Sequence, residues 1–411
     1  MRRALFATLS LSLLAASSLA APPVRYRLTV LEPTEAGQPT QATALNQSGD
    51  VVGFERVDGG NALRSILWRH DDTPVYFDPL ASDFRTWATD ISDSGVVVGQ
   101  SKVPVFLARI SAAWAARAED APNATDLQVS SFGAGATGIT SGPAFEVTVG
   151  WSDTSEQFGQ FVQRLAYFKS GLTPGQSAFE IPRLGGWSSW ANDVNASTVV
   201  VGASLTAAGP SHAFSYRITT TMLTDLGTLG GPASEARAIS DSGLIVGWAD
   251  TPGGERHAFV RDGVVMHDLG TLGGRSSSAE GVNDQGQVVG DSWTAAGGAR
   301  AFIVDESGMR DLNTLLVGPS ELRLTYAADI NNAGVIVGWG RREGQTLGYI
   351  LEPTCAADYA LPAGALDISD VIAYVNAFGA DLPDADLAPP QGVLDFSDVL
   401  AFLIAFAGGC G

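Results

Sequence analysis

The chain has 411 residues, with 44 acidic and 24 basic side chains, a formal net charge of −20 and two cysteines. Lysine occurs only at Lys102 and Lys169. Binding to nucleic-acid phosphates requires clustered lysine and arginine, so the composition excludes a general nucleic-acid-binding protein. Acidity of this size favours solubility and does not define a fold.

The first residues have the pattern of a secretory signal. Arg2 and Arg3 are basic, residues 4–14 are largely apolar, and Ser18-Leu19-Ala20 supplies small residues for cleavage. A membrane anchor is the alternative, but the apolar run is shorter than the ~20 residues of a bilayer-spanning helix. We predict a signal peptide over residues 1–20 and a secreted or cell-surface mature chain with no transmembrane segment.

Most of the mature chain consists of repeats of one sequence unit. A segment that ends in a β-branched pair and a glycine recurs seven times, at intervals of 43 to 52 residues. The terminal glycines are Gly53, Gly99, Gly150, Gly202, Gly247, Gly290 and Gly338. Seven units of this length indicate a repeat architecture.

Within a unit the pattern is that of short strands. Ile239 and the apolar residues 244–246 flank Ser-Asp-Ser-Gly, which predicts a hairpin whose glycine has positive φ. His212-Ala213-Phe214 and residues 225–229 are short alternating runs that predict a third and a fourth strand. Four strands in about 45 residues are typical of a β-propeller blade, and helical periodicity is absent.

The two ends predict how the array closes. Residues 26–31 match the fourth strand of a unit, and residues 348–351 match the third strand of a unit that lacks its fourth. We predict that the N-terminal strand completes the last blade of a seven-bladed β-propeller over residues 22–353, which removes exposed sheet edges. An open β-solenoid is the alternative.

The repeated elements also carry a family resemblance. His-Ala-Phe, Asp-Leu-Gly-Thr-Leu-Gly-Gly and Gly-x-Val-Val-Gly resemble the HAF family of bacterial extracellular repeats, and the match is close from His212 to Gly290. The units that end at Gly53, Gly99 and Gly150 match mainly in spacing. The family has no established activity, so the resemblance implies an extracellular repeat protein and no particular ligand.

Three candidate chemistries fall within the repeats. Residues 133–138 spell the dinucleotide fingerprint G-x-G-x-x-G, but no helix follows, so we interpret these glycines as a turn between blades. His212 and His257 recur at equivalent positions and are expected to bind backbone carbonyls rather than a metal. The recurring Asp225 and Asp268, with Asp311, are expected to stabilise turns, with a place at a channel rim as the alternative.

No catalytic or cofactor-binding residue is predicted in the propeller. Several tryptophans near strand ends have faces that could stack on sugar or peptide, or pack between blades. They are Trp187, Trp190, Trp248, Trp293 and Trp339.

The composition changes after Pro353. Residues 355–411 contain no Lys, Arg or His and repeat themselves with an offset of 28 residues. The residue pattern of each copy predicts an acidic loop followed by an amphipathic helix. The predicted packing faces are Val371, Ile372, Val375 and Phe378 in one helix and Val399, Leu400, Leu403 and Phe406 in the other. In an exported protein Cys355 and Cys410 favour a disulfide over a redox or metal pair.

This segment is similar to the GC-type dockerin domains of exported bacterial proteins. The resemblance implies a small all-α domain that binds calcium through its loops and docks to a cohesin-like, sorting or anchoring partner. The implied calcium ligands are Asp358, Asp367, Asp370, Asp386, Asp395 and Asp398. The chain departs from the pattern at Ala360, Pro362, Ala388 and Pro390, where ligands are expected. Helix capping by Asp370 and Asp398 is the alternative role.

Together these patterns predict a secreted, non-enzymatic propeller with a glycan or protein ligand, attached to a surface or an extracellular partner by its C-terminal domain. The alternative is an extracellular enzyme that acts on polysaccharide at the propeller mouth. Acidic, histidine and aromatic side chains that converge at one end of the channel would favour the enzyme. A channel lined by small apolar residues would favour the scaffold.

Overall fold

The computed structural model describes residues 24–60, 62–69, 74–77, 85–105, 108–117, 125–127, 134–141, 146–154, 163–173, 177–354, 368–379, 385 and 395–408. The chain divides into two compact units, residues 26–353 and residues 354–411 with 1–25. The predicted signal peptide, Cys355 and Cys410 lie outside the described residues, so the cleavage and the disulfide stay predictions.

The larger unit is mainly β and β-propeller-like. Its described strands form five four-stranded sheets and one larger sheet, in which two four-stranded groups meet at a single parallel bridge between Arg256 and Ser276. Within each group of four, strands that follow one another along the chain pair antiparallel. We number the groups sheets 1 to 7 along the chain. The hairpin predicted after Ile239 is confirmed, since Gly243 has φ +93° and its N–H donates to the Ser240 carbonyl at 3.0 Å.

The strands have the following bounds. The first, β1 (Arg25–Leu31), belongs to sheet 7. Sheet 1 has β2 (Thr40–Leu45), β3 (Val51–Val57), β4 (Ala62–Trp68) and β5 (Val75–Phe77), with a short 3-10 helix at Asp58–Gly60. Sheet 2 has β6 (Thr86–Ile91), β7 (Val96–Val105), β8 (Ala108–Arg117) and β9 (Thr125–Asp126). Sheet 3 has β10 (Ala134–Ser141), β11 (Glu146–Thr154), β12 (Gln163–Ser170) and β13 (Phe179–Glu180).

The remaining groups complete the larger unit. Sheet 4 has β14 (Gly185–Val194), β15 (Val199–Thr206), β16 (Ser211–Arg217) and β17 (Met222–Gly227). Sheet 5 has β18 (Ser234–Ile239), β19 (Ile245–Asp250), β20 (Arg256–Asp262) and β21 (Val265–Gly270). Sheet 6 has β22 (Gly273–Val282), β23 (Val288–Thr294), β24 (Ala299–Asp305) and β25 (Gly308–Asp311), followed by a 3-10 helix at Leu312–Leu315. Sheet 7 has β26 (Arg323–Ile330), β27 (Ile336–Arg342) and β28 (Gln345–Thr354), which pairs with β1.

The first strand of each sheet along the chain, β26 in sheet 7, contains a β-bulge at the same place. A bulge sets two residues opposite one on the partner strand and increases the local twist. The register shifts lie between Ala42 and Ala44, Ala88 and Asp90, Ala136 and Gly138, Ala191 and Asp193, Ala236 and Ala238, Ala279 and Gly281, and Ala327 and Asp329. We call β2, β6, β10, β14, β18, β22 and β26 the inner strands, because their residues meet in the cavity described below.

The core lies between neighbouring sheets. Val52 and Phe77 of sheet 1, for example, belong to one buried apolar cluster with Trp114 of sheet 2. Sheet 7 packs against sheet 1 in the same way, with Val337 buried beside Ala42. Burial of these faces removes apolar surface from water and favours the stacked arrangement.

Polar bonds also connect sheet 7 to sheet 1. Asn331 Nδ2 donates to the Asn46 carbonyl at 3.1 Å. Asn195 Nδ2 makes the equivalent bond from sheet 4 to the Ser240 carbonyl of sheet 5, at 3.0 Å. Sheet 7 therefore contacts sheet 1 through the same type of asparagine hydrogen bond that joins the consecutive sheets 4 and 5.

The smaller unit contains two described helices, α1 (Ile368–Gly379) and α2 (Phe396–Gly408). Tyr374 and Phe402 are buried and stack with their ring centroids 4.0 Å apart. The predicted packing faces are wrong in part, since Ile372, Val375, Leu400 and Leu403 are exposed. Both aromatic rings lie one position away from the predicted faces, and their stacking buries the side of each helix that carries them. No helix in the described part of the chain is long and apolar enough to cross a membrane.

Candidate functional site

A polar channel lies where the inner strands converge. At the end where each inner strand enters its hairpin, which we call the hairpin end, a cavity of about 160 Å³ is lined by residues of all seven sheets. Leu45, Ile139 and Val282 are among its walls, with acidic side chains between them.

Three aspartates, Asp90, Asp193 and Asp329, occupy the residue after the bulge in sheets 2, 4 and 7. Each uses one carboxylate oxygen to accept the N–H of the next residue and the other to accept an N–H from a neighbouring sheet. The acceptor bonds across sheets are 2.7 Å from Ile139, 2.8 Å from Ile239 and 3.1 Å from Leu45.

Small residues make room for these carboxylates. The same position is Ala44, Gly138, Ala238 and Gly281 in the other sheets. A Cβ added to Gly138 would lie 2.9 Å from the Cα of Asp193, and one added to Gly281 would lie 2.9 Å from the Cα of Asp329. The inner strands therefore approach too closely for every sheet to carry a side chain here.

Burial raises the pKa values of all three carboxylates. The pKa rises to about 6 for Asp193 and to about 7 for Asp329, in each case mainly because burial penalises the charged form. The pKa of Asp90 is raised well above its ordinary value by burial and by repulsion from Asp193. The described residues contain no group of three or more side chains placed to hold a metal ion.

At the opposite end, which we call the loop end, aromatic residues surround the channel. The residue before each inner-strand alanine pairs across the sheet with the residue that follows the repeat glycine. The pairs are Gln41 with Phe54, Trp87 with Gln100, Gly135 with Trp151, Trp190 with Ala203, Glu235 with Trp248, Ser278 with Asp291 and Tyr326 with Trp339. Every pair but the one in sheet 6 contains an aromatic side chain, and sheet 6 has Asp291 instead.

Cations lie over several of these rings. The Arg256 guanidinium is 3.5 Å from the Trp248 ring centroid, and that of Arg164 is 3.8 Å from the Trp151 centroid. Such contacts stabilise a positive charge through the ring quadrupole. The loop end thus collects basic as well as aromatic groups in a chain that is strongly acidic.

A charged network lies between the two ends in sheets 5, 6 and 7. Arg237 Nη1 is 3.2 Å from Glu235 Oε1, and Arg237 Nε is 3.8 Å from Glu280 Oε2. Burial and, to a smaller extent, the charge of Glu280 raise the pKa of the Tyr326 hydroxyl well above its ordinary value. Burial and, to a smaller extent, the charge of Glu280 raise the pKa of Asp291 to about 7.

This network adjoins a cavity of about 700 Å³ at the loop end. Tyr326 and Trp339 line it as a stacked pair, with centroids 4.0 Å apart and planes 15° from parallel. The other charged lining residues are Asp291, Arg300, Arg323, Arg341 and Glu343. The volume falls in the ~300–1,000 Å³ range of sites for small molecules, with aromatic walls and a few polar groups.

No protein-family model matches the sequence, and no curated protein matches it. Among solved structures the chain is similar to TolB from Acinetobacter baumannii, with a TM-score of 0.44 and 12% identity, over 74% of this chain and 64% of that one. It is also similar to a Mycobacterium tuberculosis puromycin-hydrolyzing peptidase, with a TM-score of 0.48 and 11% identity, over 78% of this chain and 53% of that one. The chain thus spans between about half and two thirds of the length of these proteins. A putative TolB from Agrobacterium tumefaciens has a TM-score of 0.41 and 11% identity, over 80% of this chain and 98% of that one.

The recurring histidines bind carboxylates, so the predicted backbone carbonyl partners are wrong. His212 Nδ1 is 3.0 Å from Asp225 Oδ2, and His257 Nδ1 is 2.9 Å from Asp268 Oδ2.

The predicted role of the recurring aspartates in stabilising turns is confirmed. Asp225, Asp268 and Asp311 each accept a hydrogen bond from the backbone N–H two residues later, at 2.7 to 2.9 Å.

The glycine-rich segment is a strand and not the predicted turn. Gly135 and Gly138 lie within β10, because the bulge and the crowded channel leave room only for small residues there.

The tryptophans singled out in the sequence lie in different environments. Trp248 is buried beneath Arg256 and Trp190 donates to Glu235 at 3.0 Å, whereas Trp187 and Trp293 are about half exposed.

The implied calcium ligands are described only in part. Asp358, Asp367 and Asp386 lie outside the described residues, as does the side chain of Asp370. Asp398 is buried and its Oδ2 accepts the Asp395 N–H at 2.8 Å, at the start of α2. This is the second half of a capping box, so the alternative role of Asp398 in helix capping is confirmed. Calcium binding stays a prediction.

Sequence reasoning missed Asp90, Asp193, Asp329, Tyr326 and the arginines of the loop end. A residue-by-residue alignment of the seven units would have shown two positions, beside a constant alanine, at which charged and aromatic residues replace small ones. The signal in the sequence was therefore a position that varies among the seven units while the residue beside it stays the same.

Proposed function

We propose that this chain is a secreted, non-enzymatic β-propeller of seven blades that binds a ligand at its loop end and is attached to an extracellular partner through its C-terminal domain. The observation that carries the proposal is the cavity of about 700 Å³ with its stacked Tyr326 and Trp339.

A closed ring is supported by both ends of the larger unit. The pairing of β1 with β28 gives sheet 7 its fourth strand. The N–H of Leu45 in sheet 1 donates to Asp329 of sheet 7 at 3.1 Å, as the N–H of Ile239 in sheet 5 donates to Asp193 of sheet 4. A closed ring leaves no sheet edge open to pairing with other chains.

Ligand binding is tested by screening the mature chain against immobilised glycans and peptides. We expect a ligand whose binding is weakened about tenfold or more by Trp339→Ala, because removal of an aromatic wall removes most of its contact area. Trp293→Ala, which changes an exposed tryptophan that does not line the cavity, is the matched control. A screen in which nothing binds, or in which both variants behave alike, would contradict the proposal.

A polysaccharide-active enzyme is the second candidate, and one observation favours it. Glu280 and Asp291 are neighbouring carboxylates beside Tyr326, and the raised pKa of Asp291 suits a general acid near neutral pH. The release of reducing ends from a panel of polysaccharides, lost in Asp291→Asn, would replace the binding function with a catalytic one.

The docking role of the smaller unit is supported by its exposed apolar side chains. Ile372 and Leu400 are related by the 28-residue repeat, as are Val375 and Leu403, and all four are exposed. Exposed apolar side chains mark a protein interaction site when they form one contiguous patch. We propose that they contact the cohesin-like or sorting partner.

We expect the double substitution Ile372→Glu with Leu400→Glu to abolish retention at the cell surface, because it places a charge in each half of the proposed contact. Cell fractionation followed by immunoblotting measures the retained fraction. Val264→Glu, at an 83% exposed position in the larger unit, should leave retention unchanged. Retention that survives the double substitution would exclude these side chains from docking, and a loss that calcium chelation reproduces would support the calcium prediction.

A further inference from the structure

We propose that the loop-end cavity between sheets 6 and 7 binds an acidic polysaccharide, with Arg323 and Arg341 holding the carboxylate of a uronic-acid residue. The inference rests on the proposed binding function and adds the chemical class of the ligand.

Two arginines face each other at the edge of this cavity. Arg323 and Arg341 are directly opposite in the register of β26 and β27, and both are exposed. Like charges at directly opposite positions destabilise a sheet. Within the part of the chain that the structure describes, neither side chain forms an ion pair that would offset this cost. In a chain of net charge −20, such a pair indicates a site for an anion supplied from outside.

A third arginine distinguishes sheet 6 from its neighbours. Arg300 occupies the position that is His212 in sheet 4 and His257 in sheet 5. Its Nε lies 3.7 Å from Asp311 Oδ2, and its Nη1 donates to the Ala299 carbonyl at 2.9 Å. Sheet 6 therefore presents a longer, permanently charged side chain to the cavity where the repeat has an imidazole.

The rest of the cavity suits a sugar ring. The stacked rings of Tyr326 and Trp339 provide an aromatic wall on which the apolar face of a pyranose can lie. Asp291 and Glu343 also line the cavity and can bind hydroxyl groups. Guanidinium groups pair with a carboxylate through two parallel hydrogen bonds, which selects a carboxylate sugar over a neutral one.

A peptide with a free C-terminus carries the same carboxylate. The glycan is favoured because the wall is aromatic and because the polar groups Asp291 and Glu343 beside it are carboxylates suited to hydroxyls. A set of backbone N–H donors would instead be expected for a peptide terminus.

Calorimetric titration of the folded mature chain tests the ligand class. The probes are tetramers of galacturonate, of its methyl ester and of α-glucose, and a tetrapeptide as the free acid and as the amide. We expect binding of tetragalacturonate that is at least tenfold tighter than binding of the ester, and weakened about tenfold by each of Arg323→Gln and Arg341→Gln. Arg217→Gln, at the exposed last residue of β16 and not among the residues that line the cavity, should have no effect.

Different results separate this inference from the function on which it rests. Equal binding of the acid and its ester, or equal effects of Arg341→Gln and Arg217→Gln, would overturn the carboxylate site while leaving a glycan-binding propeller. Preferential binding of the peptide acid would also overturn it. Binding of none of the five probes would overturn the uronate ligand, and the wider glycan and peptide screen then decides the proposed function separately. Thermal unfolding of each variant shows that a lost signal is not a lost fold.

Discussion

Replacing Gly247 with alanine is expected to lower the free energy of unfolding by about 3 kcal/mol or more. A Cβ at this position would lie 2.0 Å from the carbonyl oxygen of Glu235 on the neighbouring inner strand. The obstacle is backbone, so no rotamer change relieves it, and β18 would have to move within a bulged, packed sheet. Overpacking of a rigid core costs about 1–3 kcal/mol, and a backbone clash lies at or beyond the upper end of this range.

The same geometry explains why the repeat glycine recurs. A Cβ added to the repeat glycine would lie 1.9 to 2.3 Å from an inner-strand carbonyl oxygen in every sheet. The repeat glycines are Gly53, Gly99, Gly150, Gly202, Gly247, Gly290 and Gly338. None of these glycines has a positive φ, so their role is close approach and not an unusual backbone conformation. The bulge pushes the carbonyl of the residue before it towards the glycine Cα.

Gly253→Ala provides the matched control. Gly253 also lacks a positive φ, and the nearest atom to its added Cβ is the Thr251 hydroxyl oxygen at 3.7 Å. Chemical denaturation of both variants measures the difference, and the control should change stability by less than about 1 kcal/mol. If Gly247→Ala unfolds at the same denaturant concentration as Gly253→Ala, the close approach does not explain the repeat.

The sequence predicted those features of the fold that depend on local pattern. Alternation and positive-φ glycines such as Gly243 mark the inner hairpins of sheets 1, 2, 5, 6 and 7 within a few residues, whereas sheet 4 has Thr198 at φ +57° in that place. The surplus strand at residues 26–31 predicted the pairing of β1 with β28. These signals are local because a strand's exposed and buried faces alternate residue by residue.

The candidate site could not be predicted in the same way. The loop-end pair of Tyr326 and Trp339 depends on cross-strand register, and the bulge shifts that register by one residue. A shift of one residue moves a side chain to the other face of a strand. The prediction of the buried helix faces around Tyr374 was wrong for a related reason. Two neighbouring apolar stripes fit the same periodicity, and only the packing of the helices decides which stripe is buried.

The larger unit is expected to lose stability as the pH rises from 5 to 8. Asp193 and Asp329 have folded pKa values of about 6 and about 7, above the value of about 3.9 of an unfolded aspartate. The folded state therefore binds protons more tightly than the unfolded state. The stability from this binding is complete below pH 4 and is lost as the pH rises through 6 and 7. At about 1.4 kcal/mol per pKa unit, the two carboxylates together give a loss of about 3 to 4 kcal/mol between pH 5 and pH 8.

Urea unfolding of the wild type and of Asp329→Asn across this pH range measures the effect. Asparagine does not titrate, so the variant should lose the part of the pH dependence that arises near pH 7. It should also be less stable at pH 5, because its amide cannot accept from both the Leu45 and Ile330 N–H groups. Asp284→Asn removes an exposed charge at the hairpin end and should keep the wild-type slope. A wild type that is more stable at pH 8, or an Asp329→Asn variant with an unchanged slope, would show that the buried carboxylates do not govern the pH dependence of this fold.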